Sequence, residues 1–201
     1  MGAFAEYACA REDTLVLKPA NSSFEEAAAA PVAALTALQG LRDKGKIQPG
    51  QQVLIQGATG GVGTFAVQIA KAFGAEVTAV CRTRNVDMVR SIGADHVIDY
   101  TQADFTKNGE TYDVIFDVVG KSSFSRSIQS LTHNGRYLLG NPRLLQRVRG
   151  QCRHQGGTEQ RVKCYHETGG IFPTILNAIV SQSSIARPLT HRSIRKIPPH
   201  C

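Results

Sequence analysis

The five cysteines are odd in number and irregular in spacing, so the sequence contains no disulfide framework. Long apolar runs are also missing. The longest, residues 27–38, holds Pro31 and Thr36 and falls short of the ~20 residues of a membrane span. The first residues show no charged leader followed by an apolar core, and the expected compartment is cytoplasmic. Acidic residues are scarce at one end only. Residues 1–140 hold 13 Lys+Arg against 14 Asp+Glu, whereas residues 141–201 hold 10 Lys+Arg against Glu159 and Glu167. The formal charge of +7 therefore belongs to the last 61 residues and not to the chain as a whole. That tail has only Tyr165 and Phe172 as aromatics and no recognisable motif, which argues against nucleic acid as a partner. There is no Ser/His/Asp constellation with a nucleophile elbow. With 42% hydrophobic residues, a chain of 201 is long enough for one full domain with a good core.

The chain is organised around residues 53–73. An apolar run (Val53, Leu54, Ile55) leads through Gly57-Ala58-Thr59-Gly60-Gly61-Val62-Gly63 into an apolar stripe at helical spacing, Val62, Phe65, Ala66, Ile69, Ala70 and Phe73. This pattern predicts a strand, a tight glycine turn and a helix packed back on the strand. Such a helix start leaves its first backbone N–H groups aimed outward, with the positive end of the dipole behind them. Gly60 and Gly61 let a diphosphate approach the main chain, and Gly63 lets the helix lie close to the sheet. The dinucleotide fingerprint is present as Ala58-x-Gly60-x-x-Gly63, with alanine at its first position. A purely structural glycine turn is the alternative. The strand and helix on either side favour the cradle Gly60, Gly61, Val62 and Gly63.

Before that stretch, Asn21 or Ser22 is placed to cap a helix with Glu25 and Glu26 in its first turn, and residues 27–41 read as a helix pair interrupted by Pro31. After it, the rhythm continues. Strands are expected at residues 77–80, 96–98, 114–116 and 137–139. Asn85 is placed to cap a helix that stops at Gly93, a helix carries Phe124, Ile128 and Leu131 on one face, and Asn134-Gly135 makes a turn. Strands alternating with helices imply a doubly wound parallel α/β sheet with right-handed crossovers. The rhythm ends at Gly140. Residues 141–170 have no apolar periodicity and are expected to add little to the sheet, and residues 171–185 allow a short helix.

Nineteen residues past Gly63 the second strand ends in Cys81-Arg82-Thr83-Arg84, where an acid would bond the adenosine ribose and select NAD. Arg82, Thr83 and Arg84 stand there instead. Arginine's planar fork matches phosphate, so NADP (as NADPH) is the expected cofactor. The alternative is a solvated surface loop. Val119, with Gly120, falls at the carboxyl end of the fourth strand, beside the crevice where ligands lie in such sheets, or is core. Asp95, Asp99, Asp113 and Asp117 sit at strand ends, where carboxylates commonly cap turns, and His96 reads as a surface or packing residue.

Four segments occur in order: Pro31-Val32-Ala33-Ala34-Leu35-Thr36-Ala37, the glycine turn, Gly93-Ala94-Asp95-His96-Val97-Ile98-Asp99-Tyr100, and Asp113-Val114-Ile115-Phe116-Asp117-Val118-Val119-Gly120. Together they resemble the medium-chain dehydrogenase/reductases, in particular the zinc-free quinone oxidoreductase branch. The resemblance implies a Rossmann-type domain over residues 21–140, a remnant of a GroES-like barrel over residues 1–20, and an atypical basic tail over residues 141–201. It places Thr36 against the nicotinamide and Tyr100 beside the adenosine 2′-phosphate, although Tyr100 also reads as a structural tyrosine. The implied activity is NADPH-dependent hydride transfer to a small quinone, enone or aldehyde, by a chain that can form a homo-oligomer. No catalytic residue is assigned, because the family draws substrate contacts largely from the barrel. The isolated chain is expected to bind NADPH weakly and to turn over little. The alternative is a non-catalytic NAD(P)-binding module or the partner of a complete homologue. No metal is expected. Val32 stands where the wider family has a catalytic zinc cysteine, and residues 1–140 contain only Cys9 and Cys81. In the tail, Cys152-x-His154 and Cys164-x-His166 lack the spacing of a common zinc module.

Overall fold

The computed structural model describes residues 10–12 and 15–140, and the backbone of residues 162–164. The chain forms two compact units, residues 1–28 with 169–201 and residues 29–168. In the first unit, residues 15–17 of the implied barrel remnant carry no strand. A strand needs a partner ladder, and none pairs with them among the described residues. The helix cap is Ser23, one residue beyond the expected Asn21 or Ser22. The Glu26 amide donates to Ser23 Oγ at 3.1 Å and the Ser23 amide to Glu26 Oε2 at 2.8 Å, a reciprocal capping box.

Helix α1, Phe24–Leu38, is continuous, not a broken pair. Pro31 lacks only its own N–H bond, and the helix runs on into a wide π-helical turn, Gln39–Gly45. The α/β unit then follows as β1 (Gln52–Gln56), α2 (Gly61–Ala72), β2 (Glu76–Cys81), α3 (Val86–Ser91), β3 (His96–Asp99), β4 (Tyr112–Asp117), α4 (Phe124–Ser127), β5 (Leu131–Leu139) and β6 (Val162–Cys164). All strands pair in parallel, in the order β3-β2-β1-β4-β5-β6. This is the doubly wound order with its switch point between β1 and β4.

The strands are apolar on both faces because both are covered. Val53 and Ile55 of β1, Val114 and Phe116 of β4 and Leu138 of β5 join one core with Ala66, Val67 and Ala70 of α2. Leu54, Ile115, Tyr137 and Leu139 join the other with Phe105, Phe124 and Ile128. On α2 the fully buried positions are Gly63, Ala66, Val67 and Ala70, while Phe65, Ile69 and Phe73 lie half-buried at the flanks of the expected stripe.

Four further expectations change. Asn85 makes no capping hydrogen bond, because a 3-10 turn, Thr83–Asn85, feeds α3 directly. The helix expected around Phe124 and Ile128 is the four-residue α4 followed by a 3-10 turn, Ile128–Ser130, and Leu131 already belongs to β5. Asn134 and Gly135 do not reverse the chain. They lie in a bulge, where residues 131 to 136 of β5 span only residues 112 to 114 of β4, and pairing resumes beyond them. The tail contributes β6, paired with β5 from Tyr137↔Val162 to Leu139↔Cys164, where little sheet was expected. The helix expected at residues 171–185, the barrel remnant's residues 1–9 and the side chains of the Cys/His set lie outside the described residues.

At the amino edge of the sheet, Asp95 accepts from Lys71 Nζ at 2.8 Å on both oxygens and from the Val77 amide at 2.7 Å. Burial raises its pKa, but the Lys71 and Val77 bonds outweigh that and hold it below the usual aspartate range. A carboxyl whose pKa is depressed by folding stabilises the folded state above about pH 4, and the contribution is lost as the pH falls through the folded value. Asp95→Asn is therefore expected to lower the urea midpoint at pH 7 by the equivalent of about 0.2–1 kcal/mol, and to narrow its gap from the native chain at pH 3. An equal gap at both pH values would contradict this.

Candidate functional site

The turn after β1 is set by contact. Gly57 has φ +82°, and a Cβ there would lie 2.3 Å from Val119 Cγ2. A Cβ on Gly63 would lie 2.0 Å from the Gly57 carbonyl oxygen. Gly57, ahead of the alanine at the fingerprint's first position, therefore makes the tight turn, and Gly63 brings α2 onto it. At Gly60 and Gly61 the nearest atoms to a Cβ are 3.6 and 3.7 Å away, so that side of the turn is open. Gly60 is the N-cap and has no side chain to cap with. The amides of Gly61, Val62 and Gly63 thus have no acceptor within the helix.

Beside this turn, at the carboxyl edge of the sheet, lies a cleft of 470 Å³. Its floor is Gln56, Gly57, Val80 and Cys81, at the ends of β1 and β2. One wall follows β3 (Tyr100 and residues 103–106), and the other follows β4 (Val119 and Lys121 to Ser123, with Arg126). Gln56 Nε2 donates to Ser122 Oγ, and its Oε1 is buried with no partner among the described residues. Arg126 Nη1 pairs with Asp104 Oδ2 at 3.3 Å. The Thr106 amide and hydroxyl hold the Asp104 pKa down. Burial, then the nearby Asp99, pushes the Cys81 thiol up, so it stays protonated at neutral pH. Among the described residues no group of three or more His, Cys, Asp or Glu could hold a metal ion. No described helix is long and apolar enough to cross a membrane.

The sequence-expected residues divide. Gly60, Gly61, Val62 and Gly63 open α2, and Tyr100 (59% exposed) and Val119 line the cleft. Arg82, Thr83 and Arg84 are exposed in the turn just past Cys81. Thr83 donates to Asp99 Oδ2 at 2.5 Å, which fixes that turn to the end of β3 and lowers the Asp99 pKa. Thr36 is buried in α1, its hydroxyl donating to the Val32 carbonyl at 2.7 Å, and is not on the cleft. The strand-end aspartates bond backbone: Asp95 as above, Asp99 the Thr101 amide, Asp113 the Gln52 amide, and Asp117 the Val119 and Gly120 amides. His96 is exposed beside Glu76, 2.9 Å away. Sequence reasoning missed Lys121 and Arg126, the cleft's cations, because the short segment that carries them has no motif.

A glycine N-cap beside a cleft at the switch point is the place where ligands lie in open α/β sheets. Residues 61–141 match the zinc-binding dehydrogenase family model. The chain is 43% identical over 122 residues to 2-methylene-furan-3-one reductase of Solanum lycopersicum, covering 60% of this chain and 31% of that protein. It is 40% identical over 121 residues to the NADPH-dependent alkenal/one oxidoreductase of Arabidopsis thaliana, covering 59% and 31%. It superposes on the quinone oxidoreductase from Coxiella burnetii with TM-score 0.73 at 30% identity, over 90% of this chain and 56% of that one. The matched part of the chain is similar to medium-chain dehydrogenase/reductases of the quinone-oxidoreductase-like kind. It spans less than half the length of the curated relatives it matches.

Gly57→Ala forces a left-handed residue and a clash with Val119 at once, and is expected to cost about 1–3 kcal/mol of stability. Urea unfolding measures this, and an unchanged midpoint would contradict the turn's geometry.

Proposed function

We propose that the chain is the cofactor-holding part of an NADPH-dependent, zinc-free oxidoreductase that reduces small quinones, enones or aldehydes. The observation that carries this reading is the open glycine N-cap of α2 beside the cleft between the ends of β1 and β4. When bound, the nicotinamide supplies the hydride. The chain's own residues bind and orient it: the amides of Gly61 to Gly63 take the diphosphate, Tyr100 and Val119 flank the adenosine, and Arg82 and Arg84 take the ribose phosphate. Thr36 is proposed to act from α1 on the nicotinamide side. Zinc independence rests on Val32 standing where a cysteine ligand would be needed. A cytoplasmic location accords with the irregular cysteine spacing.

One observation favours a second reading, a non-catalytic NAD(P)-binding module. In the cleft, the Cys81 thiol is kept protonated and Asp104 is paired with Arg126. NADPH oxidation with a small quinone at several turnovers per second assigns the enzyme, and binding without turnover assigns the module.

Cofactor preference tests the reading directly. NADPH is expected to bind more tightly than NADH, and Arg82→Asp with Arg84→Ser to narrow or reverse the preference by about tenfold or more, since each charged hydrogen bond contributes ~1.5–3 kcal/mol. Equal fluorescence titrations for the two nucleotides would contradict it.

A further inference from the structure

The structure assigns Asp117 as a positioning residue for the glycine turn, a role that rests on the cofactor reading above. Asp117 ends β4 and is completely buried. Its two oxygens serve different elements. Oδ1 accepts from the Val119 amide at 3.0 Å and the Gly120 amide at 2.6 Å. Oδ2 accepts from the Tyr137 hydroxyl of β5 at 2.7 Å. Tyr137 is itself buried, its ring edge-on to Phe124 with centroids 5.3 Å apart, so the donor is held from behind. A buried carboxylate with three donors is a strong anchor, because its charge-assisted bonds act at low dielectric and leaving any oxygen unmet is costly.

The anchor acts through Val119. Gripping two successive amides fixes the backbone just past β4, and with it the point from which the Val119 side chain emerges. That side chain fills the space where a Cβ on Gly57 would sit, and the Gly57 carbonyl lies against Gly63. Tyr137, Asp117, Val119, Gly57 and Gly63 therefore form one line of contact from the sheet interior to the first turn of α2. The turn's own bonds are weaker guides. Ala58 N–H reaches Val80 O at 3.3 Å and Gly60 N–H reaches Gly57 O at 3.1 Å. Asp117 touches no ligand position itself. It sets the wall against which the phosphate-binding turn is packed.

The test compares the 201-residue chain with Asp117→Asn, Asp117→Ala and Tyr137→Phe, each below its unfolding midpoint. Asparagine keeps an acceptor oxygen for the two amides, so Asp117→Asn is expected to hold NADPH within about threefold of the native chain, whereas Asp117→Ala loses about tenfold or more and Tyr137→Phe falls between. Amide hydrogen exchange without nucleotide is expected to quicken in Asp117→Ala at Ala58 and Gly60 as well as at Val119 and Gly120. Should Asp117→Ala not fold, Tyr137→Phe and Asp117→Asn make the same comparison. A lower midpoint with unchanged NADPH affinity, and faster exchange confined to Val119 and Gly120, would overturn the assignment. If the native chain binds no NADPH, the cofactor reading fails by itself, and the exchange pattern still decides whether Asp117 positions the turn.

Discussion

Room for a side chain is absent at Gly57 and Gly63, and the course of the turn between β1 and α2 follows from that. A Cβ at either would collide, with Val119 in one case and with the backbone of the turn itself in the other. The chain must therefore leave β1 through a left-handed glycine and enter α2 pressed against that turn. This close approach points the first amides of α2 over the carboxyl edge of the sheet, and it does so where β1 and β4 run side by side with their crossovers on opposite faces of the sheet. The exposed start of α2 is a consequence of packing as much as of sequence motif.

Carboxylates at the strand ends hold the loops that the packing alone would leave free. Asp113 takes the Gln52 amide at 2.9 Å and the Thr132 hydroxyl at 3.0 Å, joining β1, β4 and β5 at the amino edge. Asp99 and Asp104 shape the segment after β3, which forms one wall of the cleft, and Asp117 shapes the segment after β4, which forms the other. The two edges thus differ in chemistry. At the amino edge acids meet bases in the Lys71–Asp95 and His96–Glu76 pairs, while at the carboxyl edge Lys121 and the Arg126–Asp104 pair line the cleft.

Much of this was legible before any coordinates. Strands buried on both faces read as continuous apolar runs, so residues 53–55, 77–80 and 114–116 each fell inside the strand that formed. What failed depended on context beyond the local pattern. Pro31 signals a break, yet the helix passes through it because its second half is buried from Ala34 to Leu38. Asn-Gly signals a reversal, yet pairing with β4 on both sides turns residues 134 and 135 into a bulge. On α2, Val67 is buried while the larger Phe65 and Ile69 are not fully so, because the close approach at Gly63 brings that line of the helix nearest the sheet. The glycine turn could be read because its residue types are themselves the geometry. Lys121 and Arg126 could not, since cations in a short connecting segment reach a cleft only once the sheet has placed it.

We propose the amides at the start of α2 as the seat of a dinucleotide diphosphate. Backbone amide NMR of the chain, titrated with NADPH, is the decisive measurement. The largest shifts are expected at Gly61, Val62 and Gly63, with smaller ones at Tyr100 and Val119 across the cleft. Shifts that spare the start of α2, or none at saturating nucleotide, would contradict it.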